Sequence, residues 1–160
     1  MKMNIADVTF RKLKPDDLDV LIKYRLLFLT ELQNPTDDNK KLQLEKSLTD
    51  YFSRSLKNDT FIALAAEYNN QPVSFGGMVV QEIPGHFNFL SGKQGYILNM
   101  YTLPEYRGSG LSTMLFKRLL EEAKSAGLAK VYLHATDDGI NIYRKAGLGN
   151  PAWPVLEMKL

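Results

Sequence analysis

The chain has 160 residues, 44% of them hydrophobic and 24% charged, the balance of an ordinary globular domain that can bury one core without staples. It has no cysteine and only two histidines, His86 and His134, which excludes a disulfide scaffold, a thiol nucleophile, a thiolate zinc site and a histidine-rich metal cage. Lys plus Arg number 20 and Asp plus Glu 18; residues 1–80 carry 11 of each sign and residues 81–160 carry 9 and 7, so charge is not gathered into the basic face that nucleic acid requires.

In chain order, residues 8–13 read as a first strand. Pro15 and Asp16 open a helix whose apolar face is Leu18, Leu21, Ile22, Leu26, Leu29 and Leu32, and Asn34-Pro35 stops it. Thr36 is the expected N-cap of a second, charge-rich helix, with Leu42, Leu44, Leu48, Tyr51, Phe52 and Leu56 at near-helical spacing. Residues 61–68 and 73–83 read as a hairpin joined by a turn at Asn69-Asn70-Gln71. Gly76 and Gly77 inside its second strand predict a bulge or a close approach by a backbone or ligand. A glycine-containing loop follows over residues 84–95, then a strand over 96–103.

Residues 109–126 form the clearest helix, with Leu111, Leu115, Leu119 and Ala123 in one stripe and Gly127 ending it. A strand is expected over 130–136, a short helix from Asp138 or Gly139 to Ala146, and a last strand over 155–160. Asp137 or Asp138 is the expected cap of the short helix. Strand–helix–strand from 96 to 136 implies a parallel crossover, whereas the hairpin implies antiparallel pairs. The expected fold is α+β bordering on α/β, a mixed sheet with helices on both faces, in a single domain over residues 1–160.

No apolar run approaches the ~18 residues of a membrane span. The first ten residues carry no apolar stretch of a secretory signal. The expectation is a cytoplasmic protein with no membrane and no nucleic-acid partner.

The stretch Arg107-Gly108-Ser109-Gly110-Leu111-Ser112 joins a strand to the best helix. A glycine-rich turn there aims backbone N–H groups outward, and the helix dipole adds positive character, so the turn suits a phosphate or pyrophosphate. Gly108 and Gly110 allow a ligand close to the backbone. It is neither a Walker A loop nor a dinucleotide fingerprint, since no Gly-Lys-Ser/Thr follows and Met114 stands where a third glycine would. An ordinary tight connection would use the same glycines.

This turn resembles the acyl-CoA motif of the GNAT-superfamily N-acetyltransferases, Arg/Gln-x-x-Gly-x-Gly/Ala. Arg107 and Gly110 fall on it, and Ser112 takes the final small position. Upstream, residues 96–106 resemble the family's central strand and its exit through Pro104-Glu105-Tyr106. Downstream, residues 142–148 resemble its late helix, with Tyr143 on the family's tyrosine. The resemblance implies a mostly antiparallel sheet with one splayed parallel pair, and acetyl-CoA as co-substrate with no metal. Pantetheine would pair with the backbone of Asn99, Met100, Tyr101 and Thr102, as an added strand does. Pyrophosphate would sit on the N–H groups of Gly108, Ser109, Gly110, Leu111 and Ser112, with Arg107 contributing its backbone and a phosphate-directed side chain.

The implied reaction is direct attack of a primary amine on the thioester, with Tyr143 protonating the departing sulfur. A small-molecule or peptide amine is the implied partner, and a homodimer fits the resemblance. Many family members carry a central-strand glutamate where this chain has Leu98, so the base is open among His134, His86, Glu82 and a water chain. His134 has the pKa for the task, on the strand face shared with Tyr132 and Thr136. Tyr24 and Arg25 are expected beside the acceptor pocket, and Trp153 is expected to pack, at a dimer contact or within the chain. Leu98 also motivates a rival expectation, a non-catalytic acyl-CoA sensor or regulatory module.

Overall fold

The computed structural model describes residues 3–160. Five strands form one sheet in the order β1 (Thr9–Lys12), β2 (Phe61–Tyr68), β3 (Gln71–Glu82), β4 (Lys93–Thr102) and β5 (Lys130–Leu133). The first three pairings are antiparallel and β4–β5 is parallel. The mixed sheet expected from the sequence is therefore present, with strand order following chain order.

Helices cover both faces. α1 (Leu18–Gln33) and α2 (Asp38–Lys57) lie on one. Leu21, Ile22, Tyr24, Leu48, Phe52 and Leu56 bury there against Phe61, Ala63, Ala65 and Phe75. α3 (Leu111–Ser125) lies on the other, where Leu115, Phe116, Leu119 and Ala123 meet Ile62, Leu64, Met78 and Ile97. β2 is buried along most of its length because it serves both cores, as an interior strand covered on both faces must. α1 is introduced by a 3-10 turn at Pro15–Asp17 and ends at Asn34, whose φ of +43° breaks it where expected. Arg11 of β1 holds that entry, bonding Asp17 at 2.8 Å and Glu67 of β2 at 2.7 Å.

Several local expectations need correction. Asp37, not Thr36, caps α2, accepting from the N–H groups of Asn39 and Lys40 at 2.9 and 3.2 Å. Gly95 lies inside β4 rather than in the preceding loop. A bulge does interrupt the β3–β4 register between Phe75 and Gly77. What approaches the paired glycines is side chains, however: a Cβ on Gly76 would sit 2.7 Å from Met100 Sδ, and one on Gly77 would strike the Phe61 ring.

β5 stops at Leu133, so His134 and Thr136 lie just beyond the strand rather than on it. The N-cap of α4 (Ile140–Lys145) is Gly139, and the Thr136 carbonyl accepts from the N–H groups of Gly139 and Ile140 at 3.0 Å. Asp137 and Asp138 do not cap it. The expected last strand over 155–160 does not form; residues 149–160 are exposed and Trp153 stands 84% exposed.

Candidate active site

The parallel pair opens the site. β4 and β5 pair only from Gln94↔Lys130 to Ile97↔Leu133. Beyond Ile97, β4 continues to Thr102 with no neighbour on that side. At the same point the strand is distorted: Asn99 has φ +60°, and Asn99 and Met100 together stand opposite the single residue Gly76. A bulge of this kind re-aims backbone and side chains. Here it turns Asn99 toward α1.

The opening leads into a cleft of about 700 Å³. Its floor includes Met100, Tyr101 and Thr102, and one end is the turn from Arg107 to Ser112. Phe28 and Leu32 of α1 form one wall, and Thr136, Ile142 and Tyr143 the other. The structure thus brings together the β4 residues, the glycine turn and Tyr143 around one cavity.

The turn is built to leave its backbone open. Gly108 and Gly110 have φ +72° and +86°, conformations that a side chain strains, and a Cβ on either would face nothing within 4 Å. Gly110 is the N-cap of α3 and makes no side-chain cap, so the helix's first N–H groups remain for a ligand. Ser109 anchors the turn by donating to the Tyr106 carbonyl at 2.5 Å. A hydroxyl chain fastens it to the sheet: Ser112 Oγ lies 2.9 Å from Thr102 Oγ1, which lies 2.7 Å from Ser74 Oγ.

The Arg107 side chain is exposed and lies along the surface between the turn and α1. Its Nε donates to the Thr102 carbonyl at 3.0 Å, and its Nη2 bonds Glu31 of α1 at 2.8 Å. Tyr101 donates to the same carboxylate at 2.9 Å, and its ring lies beneath the guanidinium. The Arg107 hydrogen bond, with help from Tyr101, holds the Glu31 carboxyl below its usual range. This arrangement ties α1 to the turn, and no sequence signal links Glu31 to Arg107 across that separation.

Tyr143 is half-buried on α4, edge-on to Phe116 with ring centroids 5.0 Å apart. Burial alone pushes its hydroxyl above the ordinary value of 10.0, so it stays protonated at neutral pH. Leu98 packs into the core beneath α1 and α2 and offers no acid. His134 is exposed, with Nδ1 3.0 Å from the Tyr96 hydroxyl, and Tyr96 stacks on Tyr132 at 5.0 Å. His86 is exposed in the β3–β4 connection, where its ring meets Phe89, and Glu82 is exposed at the end of β3. None of His86, Glu82, His134 and Tyr96 lines the cleft. Tyr24 is buried and donates to the Pro72 carbonyl, so its hydroxyl is engaged away from the cleft. Arg25 reaches Asn99 Oδ1 at the bulge. Among the described residues no cluster of three or more metal-ligating side chains occurs, and no helix is long and apolar enough to cross a membrane.

A bare helix N-terminus beside a strand edge with room for an extended arm suits a class of protein that binds a ligand with an anionic head and a long arm. The particular family follows from comparison. The model of the acetyltransferase (GNAT) family matches residues 26–148, and the chain belongs to that family. It is 31% identical to a predicted acetyltransferase of Clostridium acetobutylicum crystallised with acetyl-CoA, with a TM-score of 0.82 over 94% of this chain and 96% of that one. A GCN5-related N-acetyltransferase of Ralstonia eutropha is 26% identical, with a TM-score of 0.81 over 94% and 98%. The mouse thialysine N-epsilon-acetyltransferase is 29% identical over 98 residues, which span 57% of each protein. An aminoglycoside acetyltransferase from a soil metagenome, in complex with sisomicin, shares the fold alone at 16% identity and a TM-score of 0.73 over 97% of each chain.

Proposed function

We propose that this chain acts as a single-domain acetyl-CoA-dependent N-acetyltransferase that moves the acetyl group to a primary amine by direct attack. The observation that carries this is the continuity of one cleft from the open Gly108–Gly110 turn, along the unpaired β4 edge, to Tyr143. In this reading the N–H groups of Gly108, Ser109, Gly110, Leu111 and Ser112 take the pyrophosphate. The β4 backbone at Met100 and Tyr101 takes the pantetheine. The Thr102 carbonyl already accepts from Arg107, so Thr102 serves mainly through its hydroxyl link to Ser112. The intramolecular bonds of Arg107 favour a role in shaping the turn over one in direct phosphate contact.

The amine nitrogen bonds to the thioester carbon, the carbonyl oxygen gathers the charge, and collapse breaks the C–S bond. The sulfur leaves with the Tyr143 proton, and the proton shed by the amine passes to bulk water. Tyr96 and His134, hydrogen-bonded to one another outside the cleft lining, are the candidate relay for it. A cytoplasmic setting belongs to the same reading.

The test is a thermal-shift titration with acetyl-CoA against ADP, followed by release of CoA thiol with amines. A saturable shift larger than that with ADP supports the reading, because a ligand that binds only the folded state raises Tm with its occupancy. No shift at millimolar acetyl-CoA overturns it. Leu98 favours one alternative, an acyl-CoA sensor without transfer; tight acetyl-CoA binding with no turnover on a broad amine panel would select it.

A further inference from the structure

Among the described residues the charge of Arg25 meets only neutral groups, the Phe28 ring 5.9 Å from its guanidinium among them. The Arg25 side chain is half-buried, and no carboxylate lies within ion-pair distance among the described residues. Its recorded partner is neutral, the Oδ1 of Asn99. Asn99 is itself 2% exposed, and its Nδ2 is a buried donor without a partner. Two donor groups therefore converge at the β4 bulge, a guanidinium whose acceptor is a neutral amide oxygen and an amide N–H with no acceptor among the described residues. Desolvation pushes the Arg25 pKa below its usual value, as expected for a cation held from water without a counter-ion.

The position of this pair can be read from two parallel tracks. On α1, Leu32, Phe28 and Arg25 share one face, spaced four and three residues apart. Leu32 and Phe28 line the cleft. On β4, Thr102, Tyr101 and Met100 line the same cleft, and Asn99 is the next residue back. Both tracks run away from the glycine turn, and they meet where Arg25 touches Asn99. The turn is the end suited to phosphates; the Arg25–Asn99 pair stands just past Phe28 and Met100, outside the cleft lining itself, on the side opposite the turn, toward which the thioester and the acceptor amine extend. Tyr96, with its His134 partner, follows further along β4.

We propose that Arg25, positioned by Asn99, binds a carboxylate of the acceptor, so that the substrate is a small amino acid rather than a polyamine or an aminoglycoside. This rests on the acetyltransferase reading above. A guanidinium presents a planar fork that matches the two oxygens of a carboxylate. A neutral thioester would leave the charge uncompensated, and a polycation would be repelled by it. The short reach from the guanidinium to the reacting end of the cleft requires amine and carboxylate on one compact molecule.

The test uses the purified full chain with acetyl-CoA and a panel of amino acids, each beside its carboxamide. Spermidine and an aminoglycoside are the cationic controls. CoA release is followed, and the N-acetyl product is identified by mass. The amide has the less basic amine, so chemistry alone favours it. The proposal expects the free acid to win by about 10²-fold in kcat/KM, the scale of losing one partner of a desolvated charge pair. In Arg25→Gln the acid-to-amide ratio should fall toward one, mainly through KM, and Arg25→Lys should restore part of it. The wild-type ratio decides the matter even if Arg25→Gln folds poorly. Equal use of acid and amide, a preference for either cationic control, or acetyl-CoA binding with no turnover of any carboxylate-bearing amine each overturns the proposal while leaving the cofactor assignment standing. Failure to bind acetyl-CoA overturns the reading beneath it.

Discussion

At the scale of single residues, Tyr143 is the sharpest case. Its hydroxyl sits in the cleft wall, held above its ordinary pKa by burial alone. A general acid must hold its proton until the leaving sulfur takes it, and a raised pKa secures that. Tyr143→Phe keeps the ring against Phe116 and removes only the proton donor. Turnover should drop by about 10²-fold, with KM for acetyl-CoA and Tm nearly unchanged. The pH profile adds a signed expectation: the wild-type rate should hold its alkaline plateau past pH 10.0, because the folded-state value lies above that ordinary one. A fall that begins well below that pH, or an unaltered rate in the variant, would remove Tyr143 from the acid's role.

Some residue-scale features were legible beforehand and some were not. Tyr143 stood on a recognisable motif, and the glycine turn declared itself by its place between a strand and a helix. Glu31 did not, since its partnership with Arg107 exists only after α1 packs beside β4. The family resemblance concerns only the backbone of Asn99. A polar side chain inside a buried strand was the available clue to its second role. Asp137 and Asp138 looked like caps because aspartate favours N-caps, but the chain leaves β5 early, and the Thr136 carbonyl reaches the helix first.

At the scale of elements, the turn before α3 couples sequence to function most directly. Gly110 needs φ +86° to start the helix, and the space above it is open. Gly110→Ala should therefore cost about 1 kcal/mol of stability from backbone strain, with no packing clash. The added methyl would project into the space proposed for pyrophosphate, so the Kd for acetyl-CoA should rise by more than the loss of stability explains. Denaturant melts and isothermal titration on the same variant separate the two effects. If stability falls while affinity is unchanged, the turn is only a connection. Gly77→Ala is the contrasting change, since its Cβ meets the Phe61 ring in the core and should destabilise by about 1–3 kcal/mol through overpacking.

At the scale of the whole molecule, the sheet carries a core on each face, and the site lies where those cores part. α1 and α2 hold one side of β4, α3 holds the other, and β5 is too short to follow β4 to its end. The elements and their faces could be anticipated because periodicity and turn residues are local. The length of β5 and the fate of residues 149–160 depend on what those segments find to pair with, which no local pattern states. The apolar alternation of Val155, Leu156, Met158 and Leu160 reads as a strand, yet Leu156 is 90% exposed and joins no ladder. A chain cut after Asn150 keeps Leu148 in the core beside α3 and the Arg144–Asn150 contact. It should melt within about 2 °C of the full chain, as expected for loss of exposed groups only. The two should be compared across a range of protein concentrations. A larger fall that grows with concentration would mean that the tail is buried between copies, and that the exposed strand pattern has its partner there.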